Sequence, residues 1–385
     1  MFDLTVSKTK IPSVILLLLL GWSVRQLTLY FDINLPNFTT ILPVLGTIGL
    51  ILIVLEGALE LELSKSKISL IKKSFIGALL PMLAMAFSLA FLFRYFGQTG
   101  LKESLINAIP FCVISSAIAI PSVRNLALPN KEFVIYESSL SDIMGVIIFN
   151  FLIMNTVINI HSFGQFTYQI LIIIAVSFIA TIGLSYMLNK IEHHIKFVPI
   201  ILMVILIYTV SKIYHLPGLI FILLFGLFIG NLDELKQFKL IKKLKPEELN
   251  IEVRRFKYLT IEAAFLIRAL FFLLFGYLIE TSEVFNIDTF IWAITIVILI
   301  FVFRIIQLKL SKLPLSPLLF VAPRGLITIL LFLSIEPSNS ISLVNNSLVI
   351  QVIILSALLM MLGLMTSKTQ PGEIRKTKSF DEKVN

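Results

Sequence analysis

Residues 136–145 read Tyr136-Glu137-Ser138-Ser139-Leu140-Ser141-Asp142-Ile143-Met144-Gly145, a polar cluster inside a mostly apolar stretch that runs from 132 to 158. Helical spacing places Ser138, Ser141, Asp142 and Gly145 on one face, at offsets of three and four. Glu137 lies on the margin of that face, one turn before Ser141. The face is a line of oxygen ligands ending in a carboxylate, and its meaning depends on the solvent around the helix.

That solvent is set by composition. Of 385 residues, 57% are hydrophobic and 14% charged, with a mean hydropathy of +0.97, against roughly 45–50% and 25% in soluble domains. Surface-to-volume scaling leaves no interior able to hide this excess, so a soluble globular enzyme is excluded and lipid surrounds most of the chain. The apolar residues come in long unbroken runs, which disfavours a transmembrane barrel of short alternating strands. The expected fold is an all-α polytopic membrane protein. The single cysteine, Cys112, reads as a small hydrophobe, and His161, His193, His194 and His215 fall between the apolar runs, an arrangement unsuited to a metal site.

A span needs about 20 mostly apolar residues. Cutting at charge clusters and Pro/Gly breaks predicts twelve: 11–31, 39–62, 73–97, 104–127, 132–158, 167–190, 197–214, 217–231, 258–280, 289–310, 315–336 and 346–366. The seventh and eighth are separated only by the Pro217-Gly218 turn. The positive-inside rule checks the count, because one missed helix would scramble the alternation downstream. Most of the 32 basic residues fall on one side, among them Lys65, Lys67, Lys131, Lys190, Lys243 and Lys312. The opposite loops are mainly acidic, with Glu103, Glu280, Asp288 and Glu336. Both termini are therefore expected in the cytoplasm, with the protein in the plasma (inner) membrane. The long polar loop 232–257 suits a basic amphipathic helix on the anionic inner surface; this membrane-lipid reading makes nucleic acid binding unnecessary. Residues 1–385 are expected to form a single transmembrane domain, with 367–385 as a polar cytoplasmic tail. The first span lacks a small-residue cleavage site and is kept as a helix.

A charge near the bilayer centre costs roughly 2.5–3.5 kcal/mol on insertion scales, so buried charges are functional candidates. A helix entering from the cytoplasm near 132 carries Asp142 to about 15 Å, half of a core about 30 Å thick. Arg324 reaches nearly the same depth, and Arg304 about that of Glu137. We expect Glu137 to pair with Arg304, with Arg324 as the competing partner, leaving Asp142 free for a mobile cation. Glu56 is placed in a cytoplasmic funnel leading to Asp142, and Glu60, Glu62 and Glu262 at the interface. Arg268 belongs either to a structural ion pair or to a snorkelling side chain.

Two spans carry helix breakers in corresponding places. The fourth has Pro110 and Pro121 flanking Ser115-Ser116, and the eleventh has Pro317 and Pro323-Arg324-Gly325. Irregular backbone at membrane depth survives only where it faces protein or a cavity. In transporters such broken helices occupy equivalent positions of inverted repeats and form the ion site. Spans 3–5 and 10–12 run in opposite directions, which is that arrangement.

These residues carry a family resemblance. Over all twelve spans the chain resembles the monovalent cation:proton antiporter superfamily, of sodium/hydrogen exchanger type. Glu137-Ser138-Ser139-Leu140-Ser141-Asp142 is similar to the family's E-S-x-x-N-D, whose last Asp binds cation and proton alternately. Pro323-Arg324-Gly325 resembles the family's Arg-Gly on the second crossing helix, Arg304 a basic residue on the preceding helix, and Leu55-Glu56-Gly57-Ala58-Leu59 an early acidic-Gly motif. Two departures stand out: Ser141-Asp142 replaces Asn-Asp or Asp-Asp, and Ala119-Ile120-Pro121 replaces Thr-Asp-Pro. The absent second midplane carboxylate implies one-for-one, electroneutral exchange. The resemblance further implies a homodimer and an elevator-like motion of a core (73–158 and 289–366) against a scaffold (11–62 and 167–280).

The expected activity is exchange of a monovalent cation, Na⁺ before Li⁺ or K⁺, for H⁺. Asp142 is expected to hold either ion, with Ser138 and Ser141 as further ligands, while Ser115, Ser116, Pro121, Pro323 and Gly325 shape the crossing backbone. No cofactor is called for, since no nucleotide-binding loop is present. The alternative is K⁺ efflux, or channel-like or symport cation movement, on the same scaffold. An intramembrane aspartyl protease would need two facing membrane Asp residues, and only Asp142 lies well inside a span.

Overall fold

The computed structural model describes residues 13–33, 38, 40–123, 126–155, 160–190, 197–214, 216–234 and 246–367. Among these the chain is helical throughout: α1 (Ser13–Tyr30), α2 (Ile41–Glu60), α3 (Ile68–Gly97), α4 (Leu101–Cys112), α5 (Ser116–Ser122), α6 (Leu128–Met154), α7 (Ile160–Lys190), α8 (Phe197–Ile213), α9 (Gly218–Gly230), α10 (Pro246–Leu278), α11 (Thr281–Val284), α12 (Ile287–Leu310), α13 (Leu326–Leu333) and α14 (Asn346–Thr366). Each of the twelve expected spans has a counterpart among the described residues. Nine are long enough and apolar enough to cross a bilayer, counting α4 and α5 as one interrupted segment. The seventh and eighth are the shorter α8 and α9, and the eleventh is a 3₁₀ turn at Leu318–Phe320 joined by extended chain to α13.

One boundary moves substantially. The ninth span, expected from 258, begins at Pro246, so the second half of the 232–257 loop is the first part of α10. Beside the charges Glu252, Arg254 and Arg255, Val253 and Phe256 are buried, the pattern of the amphipathic helix expected within this loop, with its apolar face packed. Residues 235–245, the pair His193-His194, His215, Arg124 and the tail 368–385 lie outside the described residues.

Helices α3, α4 and α6 pack together, and α12 packs on α3 and α14. Separately, α10 packs along α1 and α2, and α9 against α2 and α7. The links between these groups are pinned by buried amides. Asn231, at the end of α9, donates to the carbonyl of Leu61 at 2.8 Å and accepts from the Leu63 N–H at 2.6 Å, fixing the α2–α3 link. Gln351 of α14 donates to the carbonyl of Asn286 at 2.8 Å and accepts from Thr289 at 2.9 Å, fixing the α11–α12 link. In an apolar surround, loop backbone groups need such partners.

Close helix approach around the break after α4 depends on two glycines. A Cβ at Gly145 of α6 would collide with Val113, and one at Gly325 would sit 2.7 Å from Ile118 Cδ1 and 2.8 Å from Ser115 Oγ. Gly145→Val is therefore expected to destabilise the protein by about 1–3 kcal/mol through overpacking, read as a lower thermal midpoint in detergent. An unchanged midpoint would show that α6 can retreat from the break freely.

Candidate functional site

The two interrupted segments cross. Helix α4 stops at Cys112 and α5 begins at Ser116, so the break falls at 113–115, midway between Pro110 and Pro121 and not at either proline. Three consecutive backbone N–H groups find partners outside the helix there. Ile114 N–H donates to Ser141 Oγ at 2.9 Å, Ser115 N–H to the carbonyl of Pro323 at 2.9 Å, and Ser116 N–H to Asp142 Oδ2 at 3.2 Å. The break is thus held by α6 on one side and by the second interrupted segment on the other. Opposite it, Arg324 N–H donates to Ser356 Oγ at 3.1 Å, and Pro323 has no N–H to satisfy.

Asp142 is 2% exposed. Its Oδ2 also accepts the Ser116 hydroxyl proton in a short hydrogen bond. Its Oδ1 has no hydrogen-bond partner among the described residues, and the same is true of Ser115 Oγ. Ser116, expected to contribute only backbone, is therefore the hydroxyl on the carboxylate. Ser138 and Ser141, expected as ligands, are turned elsewhere: Ser138 donates to the Val134 carbonyl at 2.7 Å, one turn back on α6, and Ser141 accepts from Ile114. Their placement on the Asp142 face was legible from spacing, but Ser138 bonds back to a carbonyl of its own helix and Ser141 receives the open Ile114 N–H of the break.

Glu137 and Arg304 form an ion pair of 2.5 Å, with exposures of only 1% and 2%. Arg304 also donates to the Gln307 side chain at 2.9 Å and to the Leu318 carbonyl at 3.1 Å, and Gln307 donates to Glu137. Arg324 is not the competing partner. Its guanidinium donates to the carbonyls of Phe111 at 2.5 Å and Ala322 at 2.9 Å. A cation at the C-terminal end of α4 offsets both the negative end of the helix dipole and the carbonyls left open by the break. Gln307 was missed in the sequence, although its spacing of three from Arg304 in an apolar run puts both on one helix face.

A cavity of 630 Å³ approaches the carboxylate from the side that the charge pattern marks as cytoplasmic, and Ser116 lines it. Glu56 of α2 and Arg268 of α10 also line it, with 3.9 Å between their charged atoms. At its mouth Lys67 pairs with Glu62 at 2.5 Å and Glu132 at 2.9 Å. Burial works against the Lys67 ammonium, but these two carboxylates outweigh it and hold the group above the ordinary lysine range. The Tyr136 hydroxyl donates to the Glu62 carbonyl at 2.8 Å and accepts from the Glu62 N–H at 3.0 Å. Glu62, expected at the interface, thus joins α6 to the α2–α3 link.

The family model for "Sodium/hydrogen exchanger, transmembrane" matches residues 1–369. The chain belongs to the sodium/hydrogen exchanger family. Comparison with curated proteins finds no match. Among solved structures it is similar to the sodium proton antiporter MjNhaP1 from Methanocaldococcus jannaschii at pH 8, with a TM-score of 0.64 and 18% identity over 94% of this chain and 91% of that one. An electron-microscopy map of the same antiporter gives 0.64 and 18% over 94% and 90%. At that identity the likeness establishes the antiporter fold of this exchanger-family member, and the site residues are argued from their own geometry.

Proposed function

We propose that this multi-pass membrane protein exchanges Na⁺ for H⁺ one for one, with Asp142 holding either ion. The observation that carries the reading is a single buried carboxylate at the crossing of two interrupted helices, with Oδ1 uncommitted and a polar cavity reaching its Ser116 partner. Burial makes a bare carboxylate costly, and either a proton or a hard monovalent cation removes the cost. Hydroxyl and carboxylate oxygens suit such a cation, whereas soft metals favour thiolate or imidazole ligands. Ser116 and Ser115 take the ligand roles first assigned to Ser138 and Ser141. Because only the neutralised site crosses the apolar barrier, the two flows are coupled.

Among the described residues one uncompensated carboxylate lies at the crossing, since Glu137 is neutralised by Arg304. One Na⁺ in for one H⁺ out moves no net charge. The moving core comprises α3 to α6 and α12 to α14, running against the rest, a division supported by packing that is most extensive within these groups and smaller where α2 meets α6 and α13. Both termini face the cytoplasm of a cell's plasma membrane.

In proteoliposomes, an imposed pH gradient should drive Na⁺ uptake uphill, with Li⁺ and K⁺ as comparison cations. Clamping the voltage with valinomycin and K⁺ should leave the Na⁺ rate unchanged. A rate that follows membrane potential would refute electroneutral exchange, and dissipation without uphill uptake would indicate a channel-like leak.

A further inference from the structure

The buried charges that hold the site are locked, with one exception. Arg304 and Arg324 are each held by three acceptors. Arg268 stands 3.9 Å from Glu56, at the outer limit of an ion pair, although its side chain is only 13% exposed. Arg268 and Glu56 stand on α10 and α2, which pack together, whereas Asp142 stands on α6, whose Ile135 and Tyr136 line the same cavity. Ser116, hydrogen-bonded to Asp142, lines the same cavity as Arg268, so the cavity connects the guanidinium to the partner of the carboxylate.

We infer that Arg268 is a counter-ion that alternates between Glu56 and Asp142, so that an incoming cation competes with this guanidinium for the carboxylate. The inference rests on Asp142 as the exchange residue. When Asp142 is ionised and empty, two carboxylates compete for one guanidinium whose side chain is only 13% exposed, where Coulomb terms exceed their value in bulk water. A cation or proton at Asp142 removes that attraction and returns Arg268 to Glu56. Glu56 therefore sets how strongly Arg268 competes, although it need not touch the transported ion. The same exchange ties charge at the site to contact between the two helix groups: the empty ionised state is held to α10, and either neutralised state is released.

The signs that follow are opposite for the two partners. Glu56→Gln leaves Arg268 with Asp142 alone and should raise the KM for Na⁺ roughly three- to tenfold, the range of one partly buried charge interaction. Arg268→Gln removes the competitor and should lower KM by a similar factor. The double variant should return to within about twofold of wild type, because neither partner acts without the other. Maximal rates should change less than KM. Arg268→Lys and Glu56→Asp keep the charges and should stay near wild type, which secures the test if a Gln variant folds poorly by thermal midpoint and monodispersity in detergent. Equal shifts in one direction for both Gln variants, or no shift in either, would overturn the inference. So would Lys and Asp variants shifted as far as the Gln ones. These outcomes are separable from failure of the exchange reading, which would appear as transport surviving loss of the Asp142 carboxylate.

Discussion

Asp142→Asn is expected to abolish cation-driven proton movement in proteoliposomes, leaving a signal no greater than that of protein-free vesicles with Na⁺, Li⁺ or K⁺. The variant keeps the shape of the site. The Asn carbonyl oxygen can accept both bonds from Ser116 that Oδ2 accepts now, so the break at 113–115 should stay closed on α6. What is lost is the ability to carry a charge or a proton. An amide is neutral at every relevant pH, so the site no longer alternates between two neutralised states, and a bound cation would leave a net positive charge in the barrier. The thermal midpoint should equal or exceed that of the wild type, because an isolated buried charge has been removed without a change of volume. Retained exchange in a stable Asp142→Asn protein would sink the mechanism.

Glu137→Gln is expected to act through folding. The variant leaves Arg304 charged, 2% exposed and without its carboxylate. Removing one partner of a buried pair costs about 3–5 kcal/mol, most of it from the stranded charge. A Gln at 137 can still accept a bond from Arg304, so the loss falls at the lower end of that range and shows as reduced yield and a lower thermal midpoint. Glu137→Gln with Arg304→Gln should be milder than Glu137→Gln alone, since no net charge is then stranded. A Glu137→Gln protein of normal yield and stability would discredit the structural pair. The contrast with Asp142→Asn separates the roles of two acidic residues five positions apart: one variant is stable and inactive, the other is limited by folding.

Much of the architecture was legible before any coordinates. Twelve spans followed from apolar length, and the two interrupted ones from paired Pro and Gly positions. The error at the start of α10 has a local cause: residues 246–257 alternate charge with apolar residues, and hydropathy averages that away while helical packing does not. The site was legible in its charged members and less so in its hydroxyls. Charges at membrane depth are rare enough to stand out singly. Serines are common, and whether one reaches a carboxylate depends on which acceptor or open backbone N–H lies nearer. Ser138 and Ser141 share the Asp142 face yet serve Val134 and Ile114, whereas Ser116, on another helix, reaches the carboxylate.

By itself the sequence determined the solvent, the number of spans and the set of buried charges, because insertion into lipid is governed by local composition and each intramembrane charge carries a large cost of its own. Only the tertiary structure decided the partners. It gave Arg304 and not Arg324 to Glu137, sent Arg324 to the open carbonyl end of α4, and set Arg268 beside Glu56 on the wall of the cavity. Partner choice is a matter of a few ångströms between helices far apart in the chain, and helical spacing fixes only the face a residue occupies on its own helix.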